Sequence, residues 1–383
     1  METNKKSLRV AIFTDSFYPG VGGTERAVFE YAKCLSNYAE VAVFVPSYHR
    51  EDKTEYPFKV YRSKSIAFGK NDIFALPKLD KRLKKNLLDF NPNIIHTQTP
   101  GMMADFANKM GKKLGVPVVC TIHTKYRYCY EDALPFKFMV DGVIKRIIKR
   151  VNGADRLLVV SNSMGLELND YGSKLPFTVI KNGCLYKSES EFVKPKNTTF
   201  NLLYLGLVAK RKNIQFSLKS LALLKEKGLP FTFNVVGRGA DTKYFKKLSK
   251  KLGISNFVFF HGEVKGEKKK EFYKNADLFL FPSIFDSDGL VMLEAGAFDT
   301  PSLVLKGTGA SERIIDNETG FVSKQTEKDF ADKIEWILLH ETERLKVGKN
   351  AKNNFTDWEN TVSKYLKVYA EEINKKELTK NNL

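Results

Sequence analysis

The sequence predicts an α/β protein with two domains, each built on a parallel β-sheet covered by helices. Short apolar runs alternate along the chain with segments whose apolar residues recur every three or four positions. Such alternation is typical of parallel sheets, because consecutive parallel strands must be joined by a crossover, usually a helix. The length of 383 residues suits two such domains. The apolar runs all fall short of the ~20 residues that a membrane-spanning helix needs.

The N-terminal half opens with a strand pattern at 9–15, which ends on the acidic residue Asp15. A glycine-rich turn with Gly22 and Gly23 follows, and a helical period then runs from Thr24 to Leu35. Glycines between a strand and a helix let the backbone approach a phosphate, whose charge suits the N–H groups of the helix start. This turn is therefore a candidate phosphate-binding element.

Later apolar runs in this half predict strands at 41–45, 94–96, 118–123 and 156–161. The third of these ends on His123, where a side chain at the carboxyl end of a strand can face a ligand. A buried histidine is more often structural. Here the following Thr124 and the aromatic residues Tyr126 and Tyr128 favour a functional role.

The C-terminal half repeats the pattern, with strands predicted at 200–205, 231–236, 257–261 and 276–281. The last strand leads through a polar turn with Asp286 and Gly289 to a helix that begins near Leu290 and contains Glu294. Carboxylates at such a crevice suit a sugar, because sugar hydroxyls are good hydrogen-bond donors. The alternative is that they serve as a helix cap and a solvated helix residue.

The net charge is +19, and residues 78–150 hold 15 basic and 6 acidic residues. This local excess suits an anionic membrane or another polyanion, or only a lysine-rich surface. A nucleic-acid partner is not expected, since the sequence has no helix-turn-helix, zinc-finger or RNA-binding pattern. Four cysteines without a CxxC spacing indicate free thiols. Together with a polar N-terminus that is unlike a signal peptide, they predict a cytoplasmic protein.

The segment 135–151 predicts a basic amphipathic helix. Apolar residues recur along it at helical spacing, and the other face carries Lys145, Arg146, Lys149 and Arg150. Such a helix either packs its apolar stripe on the sheet or lies at a membrane surface.

The segment from Asp286 to Glu294, with Pro301, Glu312 and the glycines at 307, 309 and 320, resembles the paired-carboxylate signature of retaining glycosyltransferases of family 4. These enzymes have the GT-B fold, two Rossmann-like domains with parallel sheets facing a central cleft. The resemblance implies domains at 1–185 and 200–357, a linker at 186–199, and a C-terminal helix at 358–383 that crosses back to the first domain. In the family the first carboxylate is usually glutamate, whereas here it is Asp286.

The resemblance also implies roles for site residues. A nucleotide-diphosphate sugar, with a UDP-sugar such as UDP-glucose favoured, would be bound by Gly22, Gly23, Arg211, Lys212, Gly237, Asp286, Gly289, Leu290 and Glu294. His123, Asp286 and Lys212 would be catalytic. Glu294 would hold the ribose hydroxyls, so Glu294→Ala is expected to weaken donor binding and leave folding intact. Leu207 stands where the family usually has arginine, which makes Lys210 and Arg211 the candidates to replace that cation.

The implied activity is retaining hexosyl transfer from the nucleotide sugar to a hydroxyl acceptor, without a metal or other cofactor. The segment from His123 to Asp132 and the basic helix resemble diacylglycerol glucosyltransferases, which work at anionic bilayers. This favours diacylglycerol or a glycolipid as acceptor and a peripheral position on the inner membrane face, with acceptor or membrane contacts from Tyr126, Tyr128, Lys145, Arg146, Lys149 and Arg150. The alternatives are a transferase of cell-surface polysaccharide synthesis with a glycan or lipid-linked acceptor, and an inactive sugar-nucleotide-binding module.

Overall fold

The computed structural model describes residues 8–20, 22–48, 52–68, 72–186, 194–353 and 356–381. The chain divides into two compact units. Unit 1 comprises Met1–Gly183 and Trp358–Leu383, and unit 2 comprises Cys184–Asp357. The middle of the predicted linker, 187–193, lies outside the described residues, so the linker stays a prediction.

The strands, in chain order, are β1 (Arg9–Phe13), β2 (Glu40–Pro46), β3 (Lys59–Ser63), β4 (Ser65–Phe68), β5 (Asp72–Ala75), β6 (Ile94–Thr97), β7 (Val118–Ile122), β8 (Arg156–Val159), β9 (Phe177–Val179), β10 (Phe200–Leu205), β11 (Phe231–Val236), β12 (Val258–Gly262), β13 (Leu278–Phe281), β14 (Ser302–Leu305) and β15 (Phe321–Ser323).

The helices are α1 (Gly23–Leu35), α2 (Lys81–Phe90), α3 (Met102–Leu114), α4 (Tyr126–Ala133), α5 (Lys137–Val151), α6 (Asn162–Asp170), α7 (Ile214–Glu226), α8 (Thr242–Lys251), α9 (Gly266–Asn275), α10 (Leu290–Gly296), α11 (Glu327–Leu339), α12 (Glu341–Asn353) and α13 (Trp358–Asn381). Short 3-10 helices lie at Pro77–Leu79, Lys210–Lys212, Ser255–Phe257 and Ala310–Arg313. In the part of the chain that the structure describes, no helix has the length and apolar character needed to cross a bilayer.

Each unit contains one large sheet in which all neighbouring strands are parallel, which confirms the predicted fold class. The sheet of unit 1 has the order β3-β2-β1-β6-β7-β8-β9, and that of unit 2 has the order β12-β11-β10-β13-β14-β15. The first six strands of both sheets follow the doubly wound order, in which the chain reverses direction across the sheet beside its first strand. In unit 2 the reversal lies between β10 and β13, and in unit 1 between β1 and β6. Ligands of doubly wound sheets bind at this point.

Both units bury their own apolar cores, because strands covered on both faces carry apolar residues at almost every position. Strand β1, for example, buries all four residues from Val10 to Phe13, and β13 buries all of Leu278–Phe281. The helix α13 belongs to unit 1, where Tyr369 lies buried against Tyr31 and His96. The two cores hold the strand ends rigidly, and the loops that follow those ends carry the candidate site.

Candidate functional site

In unit 2, the loops after β10 and β13 lie side by side because these two strands are neighbours in the sheet. The first loop contains Lys212 and the second contains Asp286. The Lys212 Nζ atom lies 2.5 Å from Asp286 Oδ1, and the two side chains are 25% and 23% exposed. The structure thus brings together two residues that the sequence analysis singled out, 74 positions apart, in a place that a ligand can reach.

The second carboxylate oxygen of Asp286 has an unusual environment. Its Oδ2 atom is buried and has no hydrogen-bond partner among the residues that the structure describes. A buried carboxylate oxygen is costly unless donors surround it, so nearly all such atoms in proteins are hydrogen-bonded. A ligand that brings hydroxyl donors would satisfy this atom once the carboxylate turns toward it, because the atom has almost no accessible surface of its own.

The loop from Pro282 to Gly289 is held in place by a buried ion pair. Arg313 Nε lies 2.5 Å from Asp288 Oδ1 and 3.1 Å from the carbonyl oxygen of Asp288, and both side chains are buried. Gly289 closes the loop with a φ of +70°, and a Cβ atom there would lie 2.6 Å from Met292 Cε. Gly289 and Leu290 therefore stand where the loop becomes α10, and the glycine is required by the backbone itself.

Gly237, which follows β11, also has a local structural reason to be glycine. Its φ is +138°, and a Cβ atom would lie 1.8 Å from the carbonyl oxygen of Gly206 at the end of β10. The close contact between the two loops explains this glycine without a ligand. Donor binding by Gly237 stays a prediction.

The arginine that the family usually has at position 207 is replaced here by Leu207, which is 40% exposed. Lys210 is directed to α8, since its Nζ lies over the Tyr244 ring, 4.5 Å from the centroid. The charge of Arg211 acts on the buried hydroxyl of Tyr204. Burial raises the pKa of Tyr204, the charge of Asp286 raises it further, and the charge of Arg211 lowers it. Since Asp286 and Arg211 both act on this hydroxyl, Arg211 is the better candidate for the second cation of the site.

The second signature carboxylate, Glu294, lies in the interior of unit 2. It is 1% exposed, and its Oε2 atom lies 2.5 Å from Lys269 Nζ and 2.7 Å from Tyr273 Oη. Lys269 itself is buried. This carboxylate is therefore half of a buried ion pair, so the expectation that Glu294→Ala leaves folding intact does not agree with the structure. Its contact with a ribose stays a prediction.

In unit 1, His123 follows the end of β7 and is 9% exposed. Its Nε2 atom lies 2.6 Å from the side-chain oxygen of Gln98, a buried residue that follows β6. Burial lowers the pKa of His123 to about 4, so the ring is neutral at neutral pH. Sequence reasoning missed Gln98, because its place beside His123 depends on the pairing of β6 with β7, which the sequence does not show.

The glycine turn of unit 1 lies close to the His123 segment. Thr24, in the first turn of α1, has its hydroxyl oxygen 3.3 Å from that of Thr124. A Cβ atom on Gly23 would have no neighbour within 4 Å, whereas one on Gly22 would lie 2.3 Å from a carboxylate oxygen of Glu25. The two glycines and His123 therefore belong to one region of unit 1, at the carboxyl ends of the strands.

The residues predicted to contact the acceptor or the membrane differ in exposure and in the helix that carries them. Tyr126 and Tyr128 lie partly buried on α4, and Lys145, Arg146 and Lys149 are exposed on α5. Arg150, in contrast, is turned toward α3, where its Nε lies 3.2 Å from Asp105 Oδ2. It therefore does not share the exposed basic face.

Two exposed aromatic residues that the sequence does not mark out lie at the start of the same helix. Phe136 and Phe138 are 58% and 72% exposed, and their rings stack with centroids 5.6 Å apart. The apolar stripe of α5, in contrast, is buried in unit 1, at Val140, Ile144, Ile147 and Ile148. The helix thus packs on the unit and also presents a basic and aromatic surface.

Two family models together match most of the chain. The model described as Glycosyltransferase Family 4 matches residues 21–184, and the model described as Glycosyl transferases group 1 matches residues 187–354. An alpha-monoglucosyldiacylglycerol synthase of Streptococcus pneumoniae is 28% identical over 315 residues, which are 77% of this chain and 70% of that protein. The capsular polysaccharide biosynthesis glycosyltransferase CapM of Staphylococcus aureus is 27% identical over 77% of this chain and 83% of its own length.

A crystal structure of Anabaena Alr3699/HepE in complex with UDP and glucose is also similar. It matches with a TM-score of 0.73 at 17% identity, over 95% of this chain and 99% of that one. At this level of identity the likeness shows the fold alone.

Proposed function

Since the chain belongs to the GT-B glycosyltransferases of family 4, we propose that it moves a hexose from a nucleotide-diphosphate sugar to a hydroxyl acceptor and retains the anomeric configuration. The observation that carries this proposal is the pair of Lys212 and Asp286, a cation and a carboxylate side by side at the topological switch point of unit 2. A UDP-sugar is the favoured donor, because a protein of the same fold binds UDP and glucose.

The two members of the pair have separate tasks in this proposal. The diphosphate of the donor carries more negative charge than Asp286, so it replaces Asp286 as the ion-pair partner of the Lys212 ammonium group. Asp286, released from Lys212, then turns its carboxylate and accepts hydrogen bonds from hydroxyls of the transferred sugar, which supply donors to its Oδ2 atom as well. Arg211 adds a second positive charge near the same place. Fixed charges aimed at the leaving diphosphate stabilise the transition state.

The chemical step we propose follows from this charge arrangement. The acceptor hydroxyl attacks the anomeric carbon on the face from which the diphosphate departs. The new carbon–oxygen bond forms as the bond to the phosphate oxygen breaks, and that oxygen takes the proton of the hydroxyl. Lys212 and Arg211 balance the charge of the diphosphate in this scheme, so the proposal includes no metal or other cofactor. Neutral His123 is proposed to hydrogen-bond the transferred sugar.

The favoured acceptor is diacylglycerol or a glycolipid in an anionic membrane. Its support is the 28% identical synthase of a glucosyldiacylglycerol and the exposed surface of α5, which carries Phe136 and Phe138 at its start and Lys145, Arg146 and Lys149 further along. Each basic residue near an anionic surface contributes about 1 kcal/mol. Aromatic side chains suit the boundary between headgroups and acyl chains. We therefore propose a peripheral position on the cytoplasmic face of the membrane.

A transferase of capsular or other cell-surface polysaccharide synthesis is the second candidate, favoured by the similarity to CapM. A screen of nucleotide sugars against diacylglycerol and glycan acceptors, read by mass spectrometry, distinguishes the two. Transfer to diacylglycerol would support the first candidate, and transfer to glycan carriers alone would support the second. Consumption of donor by the pure protein would argue against an inactive binding module.

We predict that the α5 surface mediates reversible docking to anionic vesicles. The triple change of Lys145, Arg146 and Lys149 to Gln should remove most of the binding seen in liposome sedimentation at low salt, because docking loses about 3 kcal/mol. The double change Phe136→Ser and Phe138→Ser should weaken it at high salt as well, since apolar contacts are not screened by ions. Donor hydrolysis should be unaffected in both variants.

A matched control removes the same charge elsewhere. Lys243, Lys247 and Lys250 are exposed on α8 of unit 2, and their change to Gln should leave vesicle binding nearly intact. Equal losses in the two triple variants would mean that net charge, and not the α5 surface, drives the binding. Wild-type protein that ignores anionic vesicles would contradict the membrane proposal.

A further inference from the structure

A chain of hydrogen bonds leads from His123 into the interior of unit 1. The side-chain oxygen of Gln98 lies 2.6 Å from His123 Nε2, and Gln98 is 1% exposed. An amide oxygen can only accept a hydrogen bond, so His123 Nε2 must carry a proton. Because the ring is neutral, Nδ1 is then the atom without a proton and is a hydrogen-bond acceptor.

The other end of the Gln98 amide faces a second buried histidine. Gln98 Nε2 lies 3.2 Å from His96 Nε2 and 3.3 Å from His96 Nδ1, and His96 Nε2 lies 2.7 Å from the hydroxyl of Thr121. His96 Nδ1 is bonded to the hydroxyl of Tyr369, with that of Tyr31 at 3.1 Å. Helices α1 and α13 therefore help to hold His96. His96 in turn holds the amide that contacts His123.

We propose that Gln98 is a positioning residue that fixes His123 in the tautomer with a proton on Nε2 and an accepting Nδ1, and that sugar transfer requires this tautomer. The inference rests on the proposed function, in which His123 hydrogen-bonds the transferred sugar. Sugar hydroxyls donate readily, and the accepting nitrogen of a neutral imidazole is a suitable partner. An imidazolium, or the other tautomer, presents an N–H at Nδ1 and cannot accept there.

The groups packed around His96, which holds the Gln98 amide, carry no charge at neutral pH. The titratable side chains whose rings pack against His96 are Tyr31 on α1 and Tyr365 and Tyr369 on α13. Burial raises the pKa of Tyr31 and of Tyr369, and burial lowers the pKa of His96, so these groups are uncharged. The carboxyl group of Asp15 at the nearby end of β1 is engaged by the hydroxyl of Thr99 and the backbone N–H of Met103.

Two substitutions of similar size separate positioning from packing. Gln98→Met removes the acceptor, so His123 should lose its fixed tautomer, and kcat should fall by about 10- to 100-fold, as when outer-shell partners of ligating histidines are removed. Gln98→Glu keeps an oxygen that accepts from Nε2 but adds a negative charge, which raises the pKa of His123. Below that raised pKa the His123 ring is protonated and positively charged, so its Nδ1 atom cannot accept a hydrogen bond. Transfer by Gln98→Glu should therefore approach the wild-type rate at high pH and fall as the pH drops through the new pKa.

The tautomer itself is read by two-bond proton–nitrogen correlation NMR on protein labelled with nitrogen-15. The chain has five histidines, so comparison with His123→Gln identifies the His123 signals. Wild-type protein should show the Nε2–H form, and Gln98→Met a mixture or the other tautomer. An unchanged tautomer in Gln98→Met, or a Gln98→Glu variant with the same pH profile as wild type, would overturn the inference. A wild-type protein that transfers no sugar would overturn the proposed function, a result that the tautomer measurement does not depend on.

Discussion

The variant Lys212→Met should reduce kcat/KM for sugar transfer by about 100- to 1,000-fold, the usual effect of removing one group that stabilises a developing negative charge. Methionine has a similar length, so the loop after β10 should keep its course. The diphosphate would lose the cation that lies 2.5 Å from Asp286 in the structure. Steady-state kinetics with a UDP-sugar measures the effect, and calorimetry with UDP measures the binding part of it.

The matched control is Lys210→Met, the same change two residues earlier. Its ammonium group lies over the Tyr244 ring, so its loss should change kcat/KM by less than about threefold. The loss of kcat/KM in Arg211→Gln should lie between those of Lys212→Met and Lys210→Met. If Arg211 replaces the missing arginine of the family, its removal should cost about 1.5–3 kcal/mol of interaction with the donor. Near-wild-type kinetics of Lys212→Met would refute the proposed role of Lys212 and Asp286 in binding the donor.

The second large effect is on stability. Glu294→Ala should lower the free energy of unfolding of unit 2 by about 3–5 kcal/mol, because it leaves the buried ammonium group of Lys269 without its carboxylate 2.5 Å away. Urea denaturation followed by fluorescence or circular dichroism measures this change. The double variant Glu294→Ala and Lys269→Met removes both charges and should recover a large part of the loss.

This pair of variants also separates the structural role of Glu294 from its predicted ribose contact. A double variant that is stable but binds UDP weakly would support both roles. Glu294→Ala with unchanged unfolding and weak UDP binding would contradict the buried ion pair and favour the ribose role alone. A stable double variant with wild-type affinity for UDP would remove Glu294 from the donor site.

Periodicity was sufficient to predict the fold class, since strand and helix patterns differ along this chain and buried parallel strands are almost wholly apolar. It does not show the order of strands within a sheet. That order places the loop of Lys212 beside the loop of Asp286. It also pairs β6, which Gln98 follows, with β7, which His123 follows. The resemblance to the family indicated Lys212, Asp286 and His123 as site residues, but not Gln98. Gln98 stands in an ordinary polar stretch, so only the three-dimensional contact identifies it.

The sequence did not show which way several other side chains point, because contacts with distant parts of the chain decide it. Arg150 follows Arg146 by four positions, so helical spacing puts both on the basic face of α5. Asp105 on another helix, 3.2 Å away, decides where Arg150 points. Phe136 and Phe138 would be expected in a core by composition, yet they are exposed at the start of α5. The ion pair of Glu294 with Lys269 joins two helices and follows no local pattern.

The most direct test of the proposed activity is the chemical structure of the product that wild-type protein forms from UDP-glucose and diacylglycerol in anionic vesicles. Mass spectrometry should show a hexose added to the lipid, and proton NMR should show that the new glycosidic bond has the same α configuration as the donor. The product should be nearly absent with Lys212→Met. A β-linked product would contradict the retaining mechanism. A folded wild-type protein that binds UDP and yet transfers hexose to neither lipid nor glycan acceptors would contradict the proposed activity.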